Sequence, residues 1–96
     1  MKIPRLYEQE KNCNKLDNYI LYVKLFDPFS NWKWYIAEYN PEEGLAFGYV
    51  EGFENEWGYI NINELNDIPT VLVDKSFEPK SFKSLKSEED KHGIIW

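Results

Sequence analysis

Four glutamates could do chemistry in this chain. Glu54 and Glu56 fall in one short loop, "GFENE", and Glu38 and Glu51 lie on segments that read as neighbouring strands. Carboxylate oxygens alone can hold Mg²⁺, Mn²⁺ or Ca²⁺. Paired metals on such clusters activate water against a phosphodiester. A metal-dependent single-stranded DNA endonuclease using Glu38, Glu51, Glu54 and Glu56 is therefore the catalytic alternative. Against it, no histidine lies near these residues and no lysine follows to steady a phosphate. The chain also lacks zinc-ligand spacing and a phosphate-cradling glycine loop, so no metal or cofactor is expected. Cys13 is the single cysteine, and the single His92 lies far off in a charged segment. The two do not read as nucleophile and base. Cys13 reads as an ordinary free thiol, in keeping with a reducing cytosol.

The strongest pattern is the distribution of charge. Between Trp34 and Asp74 there is no Lys, Arg or His, while the same window holds Glu38, Glu42, Glu43, Glu51, Glu54, Glu56, Glu64, Asp67 and Asp74. Like charges gathered in one region repel one another and oppose folding, which favours a functional reason for them. The formal net charge of −6 argues against binding to nucleic-acid backbones, which needs clustered Lys and Arg. It also disfavours an anionic membrane surface. It fits a basic protein partner. Tyr35, Tyr49, Tyr59 and Trp57 could stack nucleobases, but that mode needs a basic groove along the strand. This neighbourhood has the opposite sign, so the rings read as core. Trp32, beside a turn, is the better candidate to anchor a partner.

The elements that must position these residues follow from composition and periodicity. Ninety-six residues make one domain. The aromatic share of 18% suits a small core filled by large side chains. Residues 19–27, 32–39, 45–51 and 57–62 are β-branched and aromatic and read as strands, with "TVLVD" as a fifth. The loops between them are short, so an antiparallel meander is expected. Asn61 reads as a helix N-cap with Glu64 at the third helical position, and Pro4 as the start of another short helix.

Closing the turn over "NPEEG" sets Tyr39 opposite Leu45, Tyr35 opposite Tyr49 and Lys33 opposite Glu51. Closing "GFENE" likewise sets Glu51 opposite Trp57 and Tyr49 opposite Tyr59. One face then carries Tyr35, Tyr49, Tyr59, Phe47, Leu45 and Trp57. The other carries Trp34, Ile36, Val50, Ile60 and Ile62, with Gly48 and Gly58 leaving room for rings. Both faces need cover, which points to an interaction surface. The expected organisation is a single α+β domain over 1–80, a four- to five-stranded antiparallel meander with one or two short helices. A polar C-terminal tail over 81–96 follows, either mobile or docked by Ile94, Ile95 and Trp96. The N-terminus has no apolar run of the signal-peptide kind, and no segment approaches the ~20 apolar residues of a membrane span. A soluble, cytoplasmic protein is expected.

The segments "IPRLY", "KLF" at 24–26, "WYIAEYNPEEG", "FGYVEGFENEWGY" and "NEL" occur in this order, followed by "FEP" at 77–79. Together they resemble DUF2958, small proteins found widely on bacterial plasmids, phages and integrative elements. The likeness runs from Ile3 to about Pro79. It departs at Asn40, where Asp is expected, and at Phe53, where His or Tyr is common. Some members carry a single-stranded DNA endonuclease label, and the departure at Phe53 weakens an enzymatic role here. The resemblance implies a mobile-element setting, in which small acidic proteins occupy nucleic-acid sites on host defence proteins. The residues and the resemblance together predict a non-catalytic interaction protein of anti-CRISPR or antirestriction type that blocks a basic host protein. Glu38, Glu42, Glu43, Glu51, Glu54 and Glu56 would supply charge, and Trp32 and Trp57 apolar anchoring.

Overall fold

The structure, a computed structural model, describes residues 3–12 and 15–93. Cys13, Ile94, Ile95 and Trp96 lie outside the described residues. The expected meander is present. β2 (Val23–Asp27), β3 (Trp32–Asn40), β4 (Leu45–Glu51) and β5 (Asn55–Asn61) pair antiparallel in succession. Helix α2 (Ile62–Asn66) then carries the chain back across the sheet, so that β6 (Leu72–Val73) joins the far edge beside β2. The sheet order is β5-β4-β3-β2-β6. The Asn61 side chain accepts from the Glu64 N–H at 3.1 Å, the cap that the sequence led us to expect.

The strand expected over 19–27 is split at Tyr22. β1 (Ile20–Leu21) leaves the main sheet and pairs with β7 (Lys80–Ser81). The cause lies in β3, where the register shifts between Ile36 and Glu38. A bulge there leaves Ala37 without a ladder partner and bends the strand. The gap is filled by Gln9 of α1 (Glu8–Asn12). Its side-chain amide donates to the carbonyls of Ile20 and Ala37, both at 2.9 Å, and its Oε1 accepts from the Ile20 N–H at 2.7 Å. One buried side chain thus replaces the ladder bonds that the bulge removes. The chain at Pro4 is not helical. Its carbonyl accepts from the Tyr39 N–H at 2.8 Å, and α1 begins only at Glu8.

The bulge also corrects the expected register. Lys33 faces Glu51 and Tyr35 faces Tyr49, as anticipated, but nearer the turn Asn40, not Tyr39, faces Leu45. In the next hairpin Glu51 faces Asn55 and Tyr49 faces Trp57, two residues from the expected pairing. A shift of two preserves the faces, whereas a shift of one would exchange them. The two apolar faces are therefore as expected up to the bulge, beyond which the one-residue shift turns Glu38 to the tyrosine face and Tyr39 to the isoleucine face. The tyrosine face packs Tyr35, Ala37 and Tyr49 with Tyr19 and Leu21, and with Phe47 and Trp57 partly buried. The isoleucine face packs Ile36, Ala46 and Ile60 with Leu65 of α2, and with Val50, Trp34 and Ile3 partly buried.

Residues 81–93, part of the segment that reads as a polar tail, cover the tyrosine face. α3 (Phe82–Gly93) starts on Ser81, whose Oγ accepts from the Ser84 N–H at 3.2 Å. A serine at this position satisfies one of the otherwise unpaired N–H groups of a first helical turn. Only two apolar residues of α3 need face the sheet. Leu85 is buried, and the Phe82 ring centroid lies 4.6 Å from Tyr49 and 5.0 Å from Trp57. A stripe of two residues three apart is too thin to register as amphipathic periodicity, which is why the sequence reads as tail.

Candidate functional site

The β2–β3 turn (28–31) and the β4–β5 turn (52–54) lie at the same end of the sheet. The first is shaped by Asp27, whose Oδ1 accepts from the Phe29 N–H at 2.9 Å, and by Asn31 at φ 64°. Asparagine tolerates this left-handed conformation better than most residues. The result holds Phe29 outward, 84% exposed, and the second turn holds Phe53 outward, 95% exposed. The Phe53 ring packs edge-on against Trp32 at 5.4 Å, and Trp32 stacks on Trp34 at 6.0 Å. Gly52 permits this approach, because a Cβ there would lie 2.6 Å from Trp32 ring atoms. The rings form a continuous aromatic corner at the end of the sheet.

From this corner a groove of about 290 Å³ runs over the isoleucine face. Trp32 and Trp34 form one wall, Val50 and Ile60 the floor, and Leu65, Ile68 and Glu64 the other wall. Glu56 faces Val50 in the register and so sits at the rim. Glu54 follows Phe53 on the turn and is exposed. Glu54, Glu56 and Glu64 have no ion-pair partner among the described residues. Within the same window Glu42 is bound by Arg5 at 2.8 Å, and Asp74 lies 3.6 Å from Lys24. Lys24, Lys33 and Lys80 line a separate groove on the tyrosine face, with Asp74, Glu78 and Glu88 among them. The tyrosine-face groove therefore mixes both signs, whereas the groove on the isoleucine face is lined by Glu64 and no lysine or arginine.

The sequence-predicted site residues divide into three groups. Trp32, Glu54 and Glu56 meet at the aromatic corner and groove, and Glu51 ends β4 there opposite Lys33. Glu42 and Glu43 lie on the β3–β4 turn at the other end of the sheet. Glu38 and Trp57 are inside. Glu38 is 2% exposed, turned in by the bulge. Trp57 is stacked on Phe47 at 5.5 Å and lies against Phe82 of α3, so it is a core ring. Trp34, Phe53 and Phe29 complete the corner, Glu64 stands on the far wall of the groove, and none of the four was among the expected site residues. A large apolar residue in a glycine-flanked loop, as in "GFENE", is the signal that could have marked Phe53. The four acids proposed for a metal are not gathered, and among the described residues no three His, Cys, Asp or Glu side chains form a metal-holding group.

Among the described residues three carboxyl groups are held below their ordinary range. Asp27 is lowered chiefly by the Phe29 N–H, with the Thr70 hydroxyl assisting against partial desolvation. Asp74 is lowered by the hydroxyl and N–H of Ser76 before Lys24, and Glu42 by the Arg5 guanidinium. Because each folded value lies below the unfolded one, each group contributes stability that is present at neutral pH. That contribution is lost as pH falls through the folded value. The melting temperature is expected to be flat from about pH 7 to 5 and to fall below about pH 4. Circular dichroism melts across that range check this, and Asp27→Asn should flatten the acid limb.

Among the described residues no helix is long and apolar enough to cross a membrane. No family model, no curated protein and no solved structure matches the chain significantly.

Proposed function

We propose that this chain is a non-catalytic, cytoplasmic interaction protein of a plasmid, phage or integrative element, of the DUF2958 type. It uses its acidic, aromatic surface to bind and block a basic host DNA-processing or defence protein. One observation carries this reading: an apolar groove and an exposed aromatic corner are rimmed by Glu54, Glu56 and Glu64, which have no cation partner among the described residues. Exposed aromatic side chains beside a pocket are the usual anchors of protein interfaces. Unpaired carboxylates around them attract a basic surface and repel phosphate. A protein site that normally receives nucleic acid offers that basic surface.

The test is affinity capture of a purified basic DNA-binding protein from the host, such as a restriction subunit or a CRISPR effector, at 50 mM and 500 mM salt. Capture at low salt that weakens at least tenfold at high salt is expected, since charge-steered association is screened by ions. Capture indifferent to salt removes the electrostatic basis. Mg²⁺- or Mn²⁺-dependent cleavage of single-stranded DNA by the pure protein would replace this reading with the nuclease alternative.

A further inference from the structure

The tyrosine face carries a second feature, at the end of the sheet away from the aromatic corner. Tyr7, Tyr19, Phe47 and Tyr59 enclose a cavity of about 260 Å³ with Glu38 in its wall and Glu10 at its edge. The lining is four aromatic rings and two carboxylates, with no cation.

Glu38 is the unusual member. It is 2% exposed, and its Oε2 accepts from the Gln9 N–H at 2.8 Å. Among the described residues no other donor and no cation engages its carboxylate. A buried carboxylate is expensive unless an opposite charge or further donors compensate it. Regular strand alternation does not bring it here. The shift between Ile36 and Glu38 opposes both Ala37 and Glu38 to the Phe47 region and turns Glu38 into the cavity. Bulges are found beside binding sites because they re-aim a side chain in this way.

A third sign is backbone strain on the opposite wall. Tyr7 has φ 71°, a region that non-glycine residues rarely occupy. Residues held there concentrate at ligand-binding sites. This conformation places the Tyr7 hydroxyl 3.0 Å from that of Tyr59. The remaining walls are packed in place, Tyr19 edge-on to Phe47 at 6.2 Å and Phe47 against Tyr59 at 5.5 Å.

We propose that this cavity binds a small organic cation, an alkylammonium or guanidinium group, with Glu38 as its counter-charge and the four rings as its walls. Aromatic faces carry negative quadrupole potential and attract cations most strongly where water is excluded. The cation supplies the partner that the buried carboxylate lacks, through a charge-assisted hydrogen bond to the open oxygen. A hard divalent metal fits less well, because it requires six or more oxygens and this lining is mainly carbon. The site opens on the other face of the sheet from the groove, with Tyr59 the residue that borders both, and it does not rest on the basic-partner reading.

The test is an NMR titration of the intact chain with n-butylammonium and methylguanidinium, against 1-butanol and acetate as neutral and anionic controls. Saturable binding of the cations is expected, with upfield ring-current shifts of their alkyl protons and no saturation by either control. Glu38→Gln retains an oxygen to accept the Gln9 N–H and should weaken cation binding about tenfold or more. Tyr59→Leu alters a half-exposed wall and should weaken it several-fold with the fold unchanged. A capped Gly-Arg-Gly peptide separates the two sources of the ligand. Tighter binding of the peptide upholds the site and assigns it to a protein side chain; tighter binding of the free amine upholds it and assigns it to a small molecule. Cations that bind no better than 1-butanol overturn the proposal, as does unchanged affinity in Glu38→Gln. Should that variant not fold, unchanged affinity in Tyr59→Leu overturns it equally.

Discussion

Gly48→Ala is expected to remove on the order of 4 kcal/mol of stability, the largest loss expected of any single substitution here. A Cβ at Gly48 would fall far inside van der Waals contact with the Tyr35 carbonyl oxygen, and would lie 2.9 Å from its carbon and 3.2 Å from the Ile36 Cα. All three neighbours are backbone atoms of β3, so no rotamer change relieves the contact. The methyl can be accommodated only by separating β3 from β4 at the centre of the sheet. Overpacking typically costs about 1–3 kcal/mol, and each ladder bond lost adds about 1 kcal/mol. Against the ~5–15 kcal/mol stability of a small domain, a loss of on the order of 4 kcal/mol is severe.

Gly58 supplies the contrast, since it faces Gly48 across the next ladder and a Cβ there meets nothing within 4 Å. Gly58→Ala should leave stability within about 1 kcal/mol of the parent, because alanine also narrows the unfolded ensemble. Urea unfolding of the two variants side by side measures the difference. A Gly48→Ala protein as stable as the parent would mean that β3 and β4 do not approach as described.

The second large effect concerns the surface. Replacing Glu54, Glu56 and Glu64 together by Gln should reduce capture of a basic partner at least tenfold at 50 mM salt and abolish its salt dependence. Each removed charge contributes modestly alone, about 0.2–1 kcal/mol at an exposed position. Two at the corner and one on the far wall of the groove act together on the same approaching surface. The melting temperature should stay the same or rise slightly, since no described cation loses a partner and mutual repulsion falls. Glu43→Gln, on the turn at the other end of the sheet, should leave capture unchanged. If Glu43→Gln weakens capture while the triple variant does not, the partner docks at the wrong end for this reading.

Both expectations depend on placements of different legibility. The division into two faces was readable from alternation alone. Tyr35, Phe47 and Tyr49 fall on one side and Ile36, Val50 and Ile60 on the other because the side-chain period of a strand is two. The Asn61 cap was readable because an Asn three residues before Glu at a strand end has a specific local use. The site was only partly legible. Trp32, Glu54 and Glu56 were found from their position at turns. Glu38 was assigned to the surface because it is charged, and Trp57 to an anchor because it is large and follows a loop.

What the amino-acid sequence determined by itself was local: which segments extend, where they turn, which residues share a face, and the absence of basic residues between Trp34 and Asp74. Tertiary structure decided the rest, because it depended on contacts between distant residues. The single extra residue in β3 is stabilised by Gln9, 28 residues away from Ala37, and no local rule announces it. That bulge placed Glu38 inside a ring of aromatics. The covering of Trp57 depended on Phe82 and Leu85 arriving from a segment too polar to declare itself a helix. Local propensity acts over a few residues, whereas burial of a charge or a ring is set by whatever the folded chain brings against it.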